Sequence, residues 1–130
     1  MSGQKADRFR QIDIVLLGTE WQTRALLRAQ LIEEGFEVLA TDTWPMMRQH
    51  LRPGEKPRLA IVDLHCLPDP EGVLNDLRTL MKRDRVLVLT AMDTVPPEAI
   101  EQLGFRVLKR PVSIGDVVTA VGRVLQEQRV

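Results

Sequence analysis

Three short runs of consecutive apolar residues, rich in valine and isoleucine, predict strands that are buried on both faces. They span residues 14–17, 59–62 and 86–89. None shows the alternation of apolar and polar positions that is typical of a strand with one face in water. Two weaker runs, at residues 36–40 and 105–108, bring the predicted number of strands to five.

Segments with apolar residues at helical spacing lie between and after these strands. Residues 20–34 form the first of them, with Thr19 as the predicted N-cap and Gly35 at the end. Its predicted buried face consists of Trp21, Ala25, Leu27, Leu31 and Ile32. Further helices are predicted at residues 45–51, 73–81, 97–103 and, after the predicted cap Ser113, up to residue 125.

Strands and helices that alternate in this way predict an α/β doubly wound fold, in which a five-stranded parallel sheet carries five helices on its two faces. A chain of 130 residues has the usual length of one domain. We expect that domain to span residues 12–130, after a flexible N-terminal segment of residues 1–11. The 44% hydrophobic and 28% charged residues are typical of a globular protein.

The charge balance and the single cysteine indicate which classes of partner the protein binds and in which cellular compartment it lies. Lysine and arginine together number 18, as do aspartate and glutamate, so the chain lacks the basic surplus that nucleic-acid binding uses. No apolar run is long enough to cross a membrane, and the N-terminus does not resemble a signal peptide. One cysteine cannot form an internal disulfide. We therefore expect a cytoplasmic protein without nucleic-acid or membrane partners.

Two local groups are expected to serve packing rather than chemistry. Trp44, Met46 and Met47 are interpreted as the core face of the short second helix. Cys66 is expected to be a buried thiol and the neighbouring His65 a loop imidazole, since adjacent side chains of an extended segment point to opposite sides.

The carboxyl ends of the predicted strands carry the candidate chemistry, because ligands and reactive groups gather there in open α/β sheets. Asp63 follows the third run, Thr90 follows the fourth, and Arg110 follows the fifth. A carboxylate, a hydroxyl and a cation are therefore predicted to converge. The end of the first run supplies Gly18 and Thr19.

Four sequences, taken in order, resemble the receiver domain of bacterial two-component response regulators. They are Leu-Arg-Ala-Gln-Leu-Ile-Glu-Glu-Gly-Phe-Glu-Val at residues 27–38, Leu-Ala-Ile-Val-Asp-Leu at residues 59–64, Thr90-Ala91 after Val-Leu-Val-Leu, and Pro111 after Val-Leu-Lys-Arg. The resemblance covers about residues 12–125. It implies the flavodoxin-like strand order 2-1-3-4-5 with five helices.

Position by position, the resemblance assigns roles to the strand ends. It implies that Asp63 accepts a phosphoryl group from a histidine kinase and that Thr90 is the switch hydroxyl. Arg110 stands where the family has lysine. Val107 stands where the family has a switch aromatic, although Phe105 lies on the same strand face. Beyond self-phosphorylation and dephosphorylation at Asp63, no enzymatic activity is implied.

The first strand departs from the family pattern in a way that concerns the metal ion. The family holds Mg²⁺ with two adjacent acidic residues at this strand end, where this chain has Gly18 and Thr19, followed by Glu20. Mg²⁺ requires near-octahedral oxygen ligands, usually with one or two carboxylates. We expect Mg²⁺ binding to be weakened or lost, with Asp63 and Glu20 as the remaining candidate ligands.

The residues leave three functional hypotheses open. The first is a receiver-type module of a bacterial phosphorelay that acts through protein contacts, with a histidine kinase or another signalling protein as partner. Its predicted contact surface, also for a homodimer, is the fourth helix, the fifth strand and the fifth helix. The second is a functional phosphoacceptor regulator phosphorylated on Asp63. The third is a flavodoxin-like module that binds a small anion or a nucleotide at Thr19, Thr90 and Arg110.

Overall fold

The structure is a computed structural model that describes residues 12–91, 94–109 and 112–128. The predicted N-terminal segment, residues 1–11, lies outside these residues, as do Arg110 and Pro111. Each predicted strand and helix is confirmed, with its ends shifted by three residues or fewer. In chain order the elements are β1 (Ile14–Leu17), α1 (Trp21–Glu33), β2 (Val38–Thr41), α2 (Trp44–Arg48), β3 (Leu59–Asp63), α3 (Pro70–Leu80), a 3₁₀ turn (Arg83–Arg85), β4 (Val86–Leu89), α4 (Pro97–Gln102), β5 (Arg106–Leu108) and α5 (Ile114–Glu127).

All five strands are parallel and form one sheet in the order β2-β1-β3-β4-β5. This order confirms the predicted doubly wound fold. The central strand β3 pairs with β1 on one side, where Val62 lies opposite Leu17, and with β4 on the other, where Asp63 lies opposite Leu89. The carboxyl ends of β1, β3 and β4 therefore lie side by side at one end of the sheet.

Two apolar layers cover the two faces of the sheet. Ala60 and Val62 of β3 pack on one face with α2, α3 and α4, whereas Leu59 and Ile61 pack on the other with α1 and α5. All four residues have 0% exposure, which explains why this run has no polar alternation. Among the described residues, no helix is long and apolar enough to cross a membrane.

Side chains near the helix ends decide where two of the helices begin. The predicted cap of α5 is confirmed, because the Ser113 hydroxyl accepts a hydrogen bond from the N–H of Asp116, whose carboxylate accepts one from the N–H of Ser113. The predicted cap of α1 is wrong. Its N-cap is Glu20, whose side chain makes no capping hydrogen bond with a backbone N–H of the helix. The Thr19 hydroxyl instead donates to the carbonyl of His65 at 2.7 Å, because the loop after β3 lies against it.

The predicted buried face of α1 is also wrong in part. Leu27 and Leu31 are buried, but Trp21, Ala25 and Ile32 are exposed. The helix turns one stripe of residues, spaced by four, toward β2 and α5. Its second apolar stripe faces solvent. Periodicity identifies both stripes, but only the packing decides which of them is buried.

The two groups expected to serve packing have different outcomes. Met47 is fully buried and Trp44 packs against the core, as predicted, but Met46 is 49% exposed. The prediction of a buried Cys66 is wrong, because this side chain is exposed. The loop requires a φ of 58° at Cys66, in the left-handed region that non-glycine residues rarely adopt. The backbone turn therefore sets the position of the Cys66 thiol, and burial of an apolar side chain does not.

Two neighbouring leucines test which stripe of α1 is buried. We expect Leu27→Ala to lower the free energy of unfolding by about 2–5 kcal/mol, because it leaves a cavity against the sheet. Leu26→Ala changes a side chain that is 57% exposed, and should alter the free energy of unfolding by no more than about 0.5 kcal/mol. Urea denaturation followed by circular dichroism measures both values. Equal losses in the two variants would contradict the assignment.

Candidate functional site

Asp63 is the last residue of the central strand and the start of a tight loop. It is only 6% exposed, and its Oδ1 accepts a hydrogen bond from the backbone N–H of His65 at 2.9 Å. An aspartate that binds the N–H two residues ahead stabilises a turn. The carboxylate is therefore fixed in place at the point where the chain leaves the sheet.

Thr90 lies beside Asp63, directly after β4. Its backbone N–H donates to the carbonyl of Leu108 at 3.1 Å, and its hydroxyl lies 3.4 Å from the same oxygen. Thr90 follows Leu89, the β4 partner of Asp63, and is 5% exposed. The structure thus places the predicted carboxylate and hydroxyl on neighbouring strand ends. The third predicted member, Arg110, lies outside the described residues.

The end of β1 carries a cation from α1 in place of acidic side chains. The carbonyl of Gly18 accepts a hydrogen bond from Nη1 of Arg24 at 2.7 Å, and the same nitrogen lies 3.5 Å from the carbonyl of Thr19. The Arg24 side chain is half-buried. A guanidinium is permanently charged, so this strand end is positive on the side where the receiver family has two carboxylates.

A neutral hydrogen bond joins the loop after β1 to the loop after β3. The Thr19 hydroxyl donates to the carbonyl of His65 at 2.7 Å, while the N–H of the same histidine donates to Asp63. His65 is thereby held at both of its backbone polar groups. The two loops are therefore connected directly by this hydrogen bond.

Glu20 is engaged at the surface by other groups. Its Oε1 accepts a hydrogen bond from the Thr23 hydroxyl at 2.7 Å, and its Oε2 lies 4.0 Å from Nε2 of His65. The Glu20 side chain is 50% exposed. Both carboxylate oxygens therefore have partners in α1 and in the loop after β3.

The donor set at the strand ends does not fit the Mg²⁺ site that the resemblance implies. Among residues 12–91, 94–109 and 112–128, no group of three or more His, Cys, Asp or Glu side chains is placed to hold a metal ion. The Gly18 carbonyl is already bound by Arg24, and the Thr19 hydroxyl acts as a donor. The charge of Arg24 also raises the electrostatic cost of placing a divalent cation beside it.

The two candidate switch residues lie in the core. Phe105 is 4% exposed, and Val107 is half-buried. Both pack in the apolar layer of α2, α3 and α4, so they share one face, as expected from their spacing. Phe105 precedes β5 and does not belong to it. A switch role for either residue stays a prediction.

Arg24, which places a positive charge at the end of β1, is not among the site residues predicted from the sequence. In the sequence, Arg24 is one of several polar residues of the α1 segment, and the helical spacing does not distinguish it from the others. The available signal is its place one turn after the N-cap Glu20, close enough in sequence to reach back to Gly18. That signal alone does not say which carbonyl the guanidinium will bind.

Comparisons with known proteins agree with this geometry at the level of the fold. No protein-family model matches the chain, and no curated protein matches it. Among solved structures it is similar to a response regulator receiver domain from Methanospirillum hungatei, with 19% identity, coverage of 92% of this chain and 98% of the other, and a TM-score of 0.76. A signal receiver domain from Vibrio parahaemolyticus has 22% identity, coverage of 92% and 94%, and a TM-score of 0.74. A receiver domain from Clostridium thermocellum has 18% identity, coverage of 91% and 97%, and a TM-score of 0.75. The predicted resemblance to receiver domains is therefore confirmed for the fold.

The bond between Thr19 and His65 can be tested with a variant of similar shape. Thr19→Val removes the hydroxyl, and we expect a loss of about 0.5–1.5 kcal/mol in the free energy of unfolding together with faster amide exchange in residues 64–67. The control Thr79→Val removes a hydroxyl that donates within one turn of α3, to the carbonyl of Asp76 at 2.8 Å. It should leave exchange in residues 64–67 unchanged. Equal exchange in wild type and Thr19→Val would show that the loop does not depend on this bond.

Proposed function

We propose that this chain is a receiver-type signalling module that acts through protein contacts, and that Mg²⁺-dependent phosphorylation of Asp63 is weak or absent. One observation carries the proposal. The buried Asp63 carboxylate lies beside Thr90 in a receiver fold, while the end of β1 presents the guanidinium of Arg24 in place of two carboxylates. No enzymatic activity is proposed beyond transfer of a phosphoryl group to and from Asp63.

The charge at the end of β1 is the reason to expect weak phosphorylation. In phosphoryl transfer an Asp63 carboxylate oxygen would attack phosphorus while the P–N bond to the donor breaks and the donor nitrogen leaves, and negative charge would spread over the oxygens of the transferring group. A divalent cation normally neutralises this charge, but the donor set described above does not fit one. The guanidinium of Arg24 is already bound to the Gly18 carbonyl, so it is held by the protein as a structural group.

An exposed apolar surface supports action through protein contacts. Trp21, Leu26 and Ile32 of α1 are 65%, 57% and 42% exposed. Trp21 and Ile32 lie on one side of the helix, and Leu26 lies on another. Large exposed apolar side chains are candidates for protein contacts, and tryptophan contributes strongly at interfaces. We propose α1 as the contact surface for a histidine kinase or another signalling protein.

The predicted contact surface of α4, β5 and α5 has less support. In the part of the chain that the structure describes, the large exposed apolar side chains lie on α1 and α2. Homodimerisation through α4, β5 and α5 therefore stays a prediction. The predicted convergence of Arg110 with Asp63 and Thr90 also stays a prediction, because Arg110 lies outside the described residues.

The second candidate function is an ordinary phosphoacceptor. The position and burial of Asp63 and its neighbour Thr90 favour it. The anion-binding hypothesis has less support, since the Thr19 hydroxyl already donates to the carbonyl of His65. The discriminating quantity is therefore the amount of phosphoryl group that Asp63 accepts.

Intact mass after incubation with phosphoramidate and Mg²⁺ measures that amount. We expect little or no phosphoryl adduct on the wild type. The double variant Gly18→Asp, Thr19→Asp should gain an adduct. A Cβ at Gly18 meets the Arg24 side chain at 3.6 Å, an ordinary contact, so the Cβ of the new side chain makes no clash. Each carboxylate about 4 Å from a divalent ion contributes several kcal/mol of gross attraction, and a net ~1.4 kcal/mol strengthens Mg²⁺ binding tenfold.

The matched control is Asp63→Ala, made both in the wild type and in the double variant. An adduct on the double variant that disappears in the control would place the defect of the wild type at the end of β1. An adduct on the wild type that disappears in the control would instead establish the ordinary phosphoacceptor and overturn the proposed weakness.

The contact surface can be tested separately with purified dimerisation domains of histidine kinases from the same organism. We expect one of them to bind the wild type, and Trp21→Ser to weaken that binding about thirtyfold, or ~2 kcal/mol, because a central tryptophan is lost from the interface. Met46→Ser changes an exposed apolar residue on α2 and serves as the control. Isothermal titration calorimetry measures both. Equal binding by wild type and Trp21→Ser would contradict α1 as the contact surface.

A further inference from the structure

A cavity of about 700 Å³ lies between the loops that follow β2 and β3 and the first turns of α3. Its size is typical of pockets that bind small molecules. Its walls are mainly apolar and include Trp44, Leu67, Pro68 and Val73. Thr19, at the end of β1, also lines it, whereas Asp63 and Thr90 do not. The cavity is therefore a second site, which adjoins the end of β1 but does not include the Asp63 carboxylate.

The aromatic wall of this cavity is held in place by the surrounding structure. The Nε1–H of Trp44 donates to Oδ2 of Asp76 at 3.3 Å, and the Trp44 side chain packs against the core beneath α2 and α3. A fixed indole offers a flat surface to a ligand without the cost of ordering it first. The wall is thus formed by contacts within the protein itself.

The lining also carries three carboxylates, and in the described part of the chain it contains no lysine or arginine. Asp69 caps α3 by accepting from the N–H of Gly72 at 3.1 Å. Asp76 binds Trp44, and its Oδ2 lies 3.6 Å from Nη1 of Arg48 at the rim. Asp42 is exposed, and no hydrogen bond or ion pair is found for it among the described residues.

The net charge of the cavity is negative even after the opposing charges are counted. Arg48 contributes one positive charge, and the beginnings of α2 and α3 contribute about half a unit charge each. About one negative charge remains from the three carboxylates. An anion would be repelled. A neutral apolar ligand would remove the carboxylates from water without giving them an ion-pair partner, which is unfavourable.

We propose that this cavity binds a small organic cation with a flat apolar body, such as an arylalkylamine. The apolar body lies against Trp44 and Val73, and the ammonium group faces Asp42. A cation beside an indole is attracted by the ring electrons, and tryptophan is the strongest partner of this kind. The proposal does not depend on the proposed function, because it involves neither Asp63 nor the α1 surface.

A charged ligand and its neutral counterpart test the proposal directly. The chain has two tryptophans, so the variant Trp21→Phe leaves Trp44 as the single fluorescent reporter. We expect 2-phenylethylammonium to change Trp44 fluorescence with saturation. We expect 2-phenylethanol, of nearly the same shape, to bind about tenfold more weakly because it lacks the charge.

Two single-charge variants provide the matched control. In the Trp21→Phe background, Asp42→Asn should weaken amine binding several-fold and leave the binding of the alcohol unchanged. Asp84→Asn removes a charge from the 3₁₀ turn, outside the cavity lining, and should change neither. As a second measurement, the amine should slow alkylation by iodoacetamide of Cys66, the single cysteine and a lining residue.

Three results would overturn the proposal. They are saturation by neither ligand, equal affinity for the amine and the alcohol in the wild-type cavity, and unchanged amine affinity in Asp42→Asn. The comparison of the two ligands uses the unaltered cavity, so it stays decisive even where the Asp42 variant does not fold. Failure here would leave the proposed function untouched, because the adduct on Asp63 and the binding of a kinase domain are measured without the amine or the alcohol.

Discussion

The burial of β3 on both faces is the constraint from which the rest of the structure follows. Because residues 59–62 have no contact with water, helices must cover both sides of the sheet, and the connections must cross over it. The first position at which the strand can carry a polar group is its carboxyl end. Asp63 occupies that position, with β1 on one side and β4 on the other. The location of the candidate site is therefore a consequence of how the core is packed.

What the site can do depends on how the neighbouring loops are joined. The end of β1 is connected to the loop after β3 by the bond from Thr19 to His65, and its Gly18 carbonyl is bound by Arg24. These contacts involve neutral groups and one cation, so they stabilise the loops without needing a metal ion. Gly18 and Thr19 themselves carry no carboxylate that would attract one. A fold that is shared with signalling receivers is here combined with a strand end whose carbonyl is bound by a guanidinium.

Much of the fold can be predicted from the sequence, because strand and helix signals are local. Five apolar runs and the cap at Ser113 identify elements that the structure confirms. The errors concern contacts between residues that are far apart in sequence. The Thr19 hydroxyl binds the carbonyl of His65, 46 residues away, and the packing against α5 decides that Leu27, and not Trp21, is buried. No periodicity contains that information, since it is fixed only when the elements meet.

The loop of residues 64–67 connects the two sites of the molecule physically. On one side, His65 is held by Asp63 through its N–H and by Thr19 through its carbonyl. On the other side, Cys66 and Leu67 line the cavity beside α3. A ligand in the cavity would touch Cys66, Leu67 and the anchoring Thr19, whereas a change at Asp63 would release the N–H of His65. Because His65, Cys66 and Leu67 belong to one short turn, a change at either site acts on the same backbone segment. Such a segment couples two sites when each ligand prefers one of its conformations.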